Sequence, residues 1–143
     1  MISDLRQLLV GKTLLAIEVS DCDSFLRLTV RDGTTLGKIV LATTGECCSE
    51  TWFADITGVK LALGKTVRDV VERNVAPVED SRCRQEYDSF YGFTIVTDGG
   101  YLDIVYRNSS NGCYGGDCRI ATDQRFWPPK NAWMRIEDDW KAN

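Results

Sequence analysis

Histidine is absent from the 143 residues. That removes Ser-His and Cys-His relays, and every imidazole metal ligand, from the chemistry open to this chain. No apolar run approaches the ~18 residues of a membrane span, so no membrane role is expected. The opening Met1-Ile2-Ser3-Asp4-Leu5 has no basic stretch ahead of an apolar one, so a secretory signal is not expected either. Runs of Lys and Arg are also missing. Net charge is −4 and the sequence pI is about 4.8. Binding a phosphate backbone depends on basic side chains displacing counterions. Nucleic-acid backbone binding is therefore not expected, and Arg82, Arg84 and Arg107 are the one set a local basic patch could draw on. A protein partner with a basic surface fits the charge better.

What is present fits one soluble α+β domain over residues 1–143, long enough to bury a real core. Ser3–Val10 reads as a short helix, capped by Ser3 and ended by Gly11, with Leu5, Leu8 and Leu9 on one face. Thr13–Val19 reads as a strand with Leu15, Ile17 and Val19 alternating. Phe25–Arg31 alternates Leu26, Leu28 and Val30 with Arg27, Thr29 and Arg31, and Asp32-Gly33 turns it back into Thr34–Ala42. Phe90–Thr97, Asp98-Gly99-Gly100 and Tyr101–Arg107 form the clearest hairpin. Ser49 is placed to cap a helix running to about Ile56, with Trp52, Phe53 and Ile56 on its buried face. Lys65–Val75 fits a helix or a bulged strand, and the strand is preferred. Cys118–Thr122 reads as a short strand and Ala132–Trp140 as a final element, helix or strand. The whole is a mostly antiparallel, twisted sheet built from two hairpins, with one or two short helices packed on it.

Two stretches echo each other. Gly11-Lys12-Thr13-Leu14 resembles Gly64-Lys65-Thr66-Val67, and Phe25–Cys47 aligns without gaps on Tyr91–Cys113. The halves would be residues 11–49 and 64–116. The shared residues are few, and two unrelated hairpins match this well by chance more readily than by duplication. The Gly-Lys-Thr triplets are not phosphate loops, because the glycine required five positions earlier is Arg6 or Val59.

Two polar, cysteine-bearing blocks each follow a strand-like run. One is Gly45-Glu46-Cys47-Cys48-Ser49-Glu50-Thr51-Trp52-Phe53. The other is Arg107-Asn108-Ser109-Ser110-Asn111-Gly112-Cys113-Tyr114-Gly115-Gly116. Together they make one candidate site. Arg107 offers a guanidinium fork, Asn108 and Asn111 two amides, Ser109 and Ser110 two hydroxyls, and Tyr114 a stacking face. Ser49 and Trp52 supply its other wall. The bland alternative is a rigid turn that satisfies its own backbone. Cys47 or Cys48 at a helix start would have a stabilised thiolate. Glu46 and Glu50 act against that, and no histidine serves as base.

The six cysteines are Cys22, Cys47, Cys48, Cys83, Cys113 and Cys118. The chain is too long to need staples, so reduced thiols in a cytoplasm are expected. Neighbouring Cys47 and Cys48 would not bond each other comfortably. Zinc on Cys47, Cys48, Cys113 and Cys118 lacks the usual Cys-x-x-Cys knuckles, so no metal and no cofactor are expected.

The two blocks resemble a small domain family of unknown function met in bacteriophages and bacteria. It carries Gly-Asp-Cys-Cys-Ser-x-Ser-Trp and Arg-Asn-Ser-Ser-Asn-Gly-Tyr-Tyr-Gly-Gly. The resemblance runs from the Gly11 region to Trp140, and this chain departs from it at Glu46 and Cys113. It implies a phage-like origin and a shared site, without a mechanism. The Cys113 departure argues against that thiol as a required ligand or nucleophile.

Two function classes fit. One is a small acidic, non-catalytic phage-type module in the host cytoplasm. It would sequester or inhibit a host protein or a small nucleotide-like ligand, with a possible role against host defence. The other is an enzyme with Cys47 or Cys48 as nucleophile, acting on a small anionic substrate held by Arg107 and Asn108. A homodimer anchored on Trp127, Trp133 and Trp140 fits either.

Overall fold

The computed structural model describes residues 1–77, 85–112 and 115–142. Two helices and ten strands occur there. Helix α1 spans Ile2–Leu9. A four-strand run follows: β1 Thr13–Ser20, β2 Phe25–Asp32, β3 Thr35–Gly45 and β4 Ser49–Thr57. After the one-turn helix α2, Val59–Ala62, comes a second run: β5 Val67–Arg73, β6 Tyr87–Thr97, β7 Gly100–Ser110 and β8 Gly116–Ile120. Two short strands close the chain, β9 Trp133–Ile136 and β10 Trp140–Lys141.

The strands form two five-stranded sheets, ordered β8-β3-β2-β1-β9 and β10-β4-β7-β6-β5. All their pairings are antiparallel. The fold is therefore mostly β, with two packed sheets where the sequence suggested one. Each sheet takes three strands from one run and its fourth from the other: β4 joins β7, and β8 joins β3. The second run thus repeats the connectivity of the first.

The two runs meet at the Gly-Lys-Thr triplets, which pair with each other. Gly11 N–H donates to the Val67 carbonyl and Gly64 N–H to that of Leu14, at 2.9 and 2.7 Å. Val67 N–H reaches Lys12 and Leu14 N–H reaches Lys65, at 2.8 and 2.9 Å. Each bond has its counterpart with the two triplets exchanged. Gly11 and Gly64 both have φ near +80°, at +85° and +79°, where a side chain would be strained.

The core between the sheets takes Leu26, Leu28, Val30, Ile39 and Leu41 from one side and Phe93, Ile95, Leu102 and Ile104 from the other. Three strands feed it through bulges. In β1 the register shifts between Leu14 and Ala16, and in β5 at the equivalent place, between Val67 and Asp69. In β4 it shifts between Phe53 and Asp55. A bulge puts an extra residue on one strand. Pairs three apart, Leu14 and Ile17, Phe53 and Ile56, Val67 and Val70, then face the core together.

That corrects the expected helix over Ser49–Ile56, which is β4. Phe53 and Ile56 share a face through the bulge, while Trp52 and Ala54 belong to a second apolar cluster. Lys65–Val75 is a bulged strand as preferred, and Ala132–Trp140 resolves into β9 and β10, one on each sheet. Helix α1 buries Leu5 and Leu9, but Leu8 stays exposed and the N-cap is Met1 instead of Ser3.

The outer face of the first sheet holds a bidentate ion pair. Arg27 donates to both carboxylate oxygens of Glu18, at 3.0 and 2.8 Å, and its guanidinium carbon lies 4.4 Å from the Trp133 ring centroid. The Arg27 hydrogen bonds hold the Glu18 carboxyl below the usual glutamate range against the opposing effect of burial. A carboxyl with a lowered folded value contributes stability above the ordinary range and loses it as pH falls through the folded value. Glu18→Gln should therefore lower the urea midpoint at neutral pH. The gap from the parent should close as pH drops below the ordinary glutamate range; a gap independent of pH would contradict this assignment.

Candidate functional site

The two cysteine-bearing blocks are where the chain crosses between sheets. Glu46–Cys48 links β3 to β4, and residues 111–115 link β7 to β8. The strand ends that flank them run side by side. Gly45 pairs with Gly116, Ser49 with Ser110, Thr51 with Asn108 and Trp52 with Arg107. The blocks therefore do come together, by backbone pairing. Arg107–Ser110 forms the end of β7, in place of the expected loop.

Arg107, Asn108, Ser109 and Ser110 are all buried, the first at 1% exposure. Arg107 Nε donates to Asp88 Oδ1 at 2.6 Å. Its guanidinium carbon lies 4.9 Å from the Trp52 ring centroid and 5.4 Å from that of Phe90. Trp52, Arg107 and Phe90 form one row across β4, β7 and β6, because they are register partners. The cation is thus held between two π faces and a carboxylate.

On the facing side, Asn108 Nδ2 donates to Thr51 Oγ1 at 2.9 Å. The Ser109 hydroxyl accepts from the Gln85 N–H at 2.8 Å, and its carbonyl accepts from Gln85 Nε2 at 3.2 Å. The Thr43 hydroxyl stands 2.9 Å from the Thr51 carbonyl, and Phe53 N–H donates to the Asp23 carbonyl at 2.8 Å. The Thr43 and Phe53 contacts bind the two sheets to each other, while those of Asn108 and Ser109 tie β7 to its own neighbours. Gly116 permits the approach: a Cβ there would stand 2.3 Å from Thr51 Oγ1 and 2.8 Å from Asn108 Nδ2. Asn111 lies just beyond β7 and is exposed. Tyr114 and Cys113 lie outside the described residues, as do Arg82, Cys83 and Arg84.

Cys47 and Cys48 occupy the middle of a tight turn. Ser49 closes it by donating from its N–H and its hydroxyl to the Glu46 carbonyl, at 3.0 and 2.8 Å. Both thiols are exposed and their sulfurs lie 3.4 Å apart. The hydrogen bond to Cys47 pushes the Cys48 thiol up. Since β4 replaces the expected helix, no helix N-terminus stands here to stabilise a thiolate. Burial pushes the Cys118 thiol up to about 12. Among the described residues, no three His, Cys, Asp or Glu side chains gather as a metal site.

Away from the blocks, a cleft of about 770 Å³ opens between α1 and β8, the edge strand of its sheet. Its walls include Met1, Asp4 and Leu8 from the N-terminal segment and Asp117, Arg119 and Ile120 from β8. Asp117 Oδ1 accepts from the Cys118 N–H at 2.8 Å. Asp69 does the same for Val70 on β5, an edge strand of the second sheet, at 2.8 Å. A side chain folded back on an edge N–H blunts that edge against indiscriminate pairing. Sequence reasoning missed the cleft. The available signal was Asp4, Gln7 and Leu8 at one, four and five on an α1 face that the Leu5–Leu9 core stripe does not use.

A family model described as "Domain of unknown function (DUF7448)" matches residues 7–120. The uncharacterized protein L278 of Acanthamoeba polyphaga mimivirus is 34% identical over 82 residues, covering 54% of this chain and 63% of that protein. This chain thus spans less than two thirds of the curated relative it matches. No solved structure matches. No helix among the described residues is long and apolar enough to cross a membrane.

Two substitutions test the crossing. Gly116→Ala should cost about 1–3 kcal/mol through overpacking against Thr51 and Asn108. Gly115→Ala, with nothing within 4 Å of the added carbon, should stay within about 0.5 kcal/mol of the parent. Arg107→Ala removes a buried cation from between Trp52 and Phe90 and the Nε hydrogen bond to the half-buried Asp88, and should cost about 3–5 kcal/mol in chemical denaturation. A neutral Arg107→Ala would contradict the structural role.

Proposed function

Because the chain belongs to the DUF7448 family of unknown function, we propose from its own geometry that it is a non-catalytic module that binds a partner protein in the α1–β8 cleft. The observation that carries this reading is the cleft itself. Apolar Met1, Leu8 and Ile120 share its walls with the carboxylates of Asp4 and Asp117, which outnumber the one guanidinium there, that of Arg119, on a chain of net charge −4. Such a wall suits an extended segment with an apolar anchor and a lysine or arginine. An incoming cation would draw the Asp117 carboxylate off the Cys118 N–H, leaving that donor for the partner's carbonyl. For a virus-borne relative, such as the mimivirus protein, the host supplies such a partner, and sequestering it would be the biological effect.

The catalytic alternative has less to support it. Its cysteines have lost the helix that motivated them, and the Arg107 and Asn108 meant to hold an anion are engaged inside the sheet. The same burial removes the reason for expecting a nucleotide-like ligand at that block.

The test is cross-linking capture from a host lysate at low and moderate salt, with the wild type and the Asp4→Lys/Asp117→Lys double variant. The expected result is one protein cross-linked to α1 and β8. The charge-reversed variant should retain it at least about tenfold more weakly, near 1.4 kcal/mol, and salt should weaken the wild type. Capture indifferent to the reversal, or cross-links mapping elsewhere, would overturn the reading.

A further inference from the structure

We propose that Cys47 and Cys48 form a chelating dithiol site for a soft, trivalent metalloid of the arsenic type, held by the turn that carries the chain from one sheet to the other. This inference is independent of the partner-binding cleft and rests on the turn alone.

Three observations carry it. Both thiols are exposed, so a small ligand reaches them directly. Their sulfurs already stand 3.4 Å apart. The turn is fixed at both ends: Ser49 closes it onto the Glu46 carbonyl, and Glu46 N–H donates to the Gly115 carbonyl of the neighbouring crossing at 3.4 Å. Cys48 sits at the third position of this turn with φ +62°, where glycine is the usual residue. A cysteine kept in that conformation brings a second thiol beside the first.

A small bridging atom that needs only two thiolates from the protein fits this pair. With metal–sulfur bonds of about 2.3 Å, sulfurs 3.4 Å apart subtend roughly 95° at a bridging atom. Trivalent arsenic bonds as a pyramid with angles close to right angles, and it is soft enough to prefer thiolates. Tetrahedral zinc wants sulfurs about 3.8 Å apart and two further ligands. A linear two-coordinate cation wants sulfurs separated by twice the bond length. A disulfide is the poorer product here. The Cα atoms of adjacent residues lie about 3.8 Å apart across a trans peptide, below the range that unstrained disulfides use. A bridging atom lets the pair close without drawing the sulfurs into bonding distance.

Phenylarsine oxide is a direct probe. Its arsenic–oxygen bond is lost, two arsenic–sulfur bonds form, and both thiol protons leave with the oxygen as one water. Arsenic stays trivalent and no electrons are transferred. Two sulfurs on one turn hold the arsenic together, so the second bond forms at high effective concentration. Retention should exceed that of a single thiol by on the order of 10²–10⁴-fold.

The experiment is intact-mass and peptide mapping of the reduced full chain after one equivalent of phenylarsine oxide. The expected product carries one probe less one water on the peptide containing Cys47 and Cys48. A small dithiol should strip it, and excess monothiol should not. Cys47→Ser, Cys48→Ser and Cys48→Gly, the last of which relieves the positive φ, should each lose retention by the stated factor with unchanged circular dichroism. Cys22→Ser should keep it. An adduct on another peptide, one that monothiol removes, or undiminished retention in the single variants would overturn the proposal.

Discussion

The structure depends on a close contact between strands that have changed places. β4 and β8 each belong, by chain order, to one four-strand run, and each completes the sheet of the other. For this to work, two sheet-to-sheet crossings must pass within backbone distance. Gly45 and Gly116 are paired there. A Cβ on either would press on Ser49, Thr51 or Asn108. The small residues let the layers approach, and the Thr43 hydroxyl reaches the Thr51 carbonyl across the join. Neither sheet is complete without the other run, so the crossing is a condition of the fold.

The burial of Arg107, Asn108, Ser109 and Ser110 follows from that condition. Removing polar groups from water is costly unless they are hydrogen-bonded, and here they meet Asp88, Thr51 and Gln85. A cation between Trp52 and Phe90 is fixed in position as well as compensated. The first sheet has a looser counterpart on its outer face, where Arg27 lies under Trp133 and grips Glu18. The chain thus uses guanidinium, aromatic and carboxylate together to seal the outer face of each layer. What remains open to a ligand lies elsewhere: the thiols at the tip of one crossing, and the cleft beside α1.

The hairpins were legible in the sequence, because alternation and an Asp-Gly turn are local signals. Leu26, Leu28 and Val30 lie in the core as their spacing requires, and Asp98-Gly99 turns β6 into β7. The second sheet was not legible. It depends on pairing Ser49–Thr57 with Asp103–Ser110, segments more than forty residues apart, and no local pattern encodes that choice. The Ser49 helix was misread for a definite reason: the bulge after Phe53 places Phe53 and Ile56 on one face, and a spacing of three is also the helical signature. For β5 the likeness of its Gly-Lys-Thr lead-in to that of β1 favoured a bulged strand, but the bulge falls after Val67, so Val70 is buried with it and Val71, expected on that face, is exposed. For the candidate site, the sequence pointed to two blocks that do meet. It did not reveal their burial, since asparagine, serine and glycine mark a solvated loop and a tight internal crossing equally well.

The central claim is that the Arg-Asn-Ser-Ser stretch is an interior strand instead of a ligand-presenting loop. β7 has β4 on one side and β6 on the other through this stretch. Its amides are therefore bonded whichever way they point. Native-state hydrogen exchange of Arg107, Asn108, Ser109 and Ser110 measures this directly. The account predicts that these four amides exchange only through global unfolding, with the same free energy and denaturant dependence as Ile104 and Val105. Exchange through local opening, insensitive to denaturant and fast relative to Ile104, would contradict it and return the stretch to the surface.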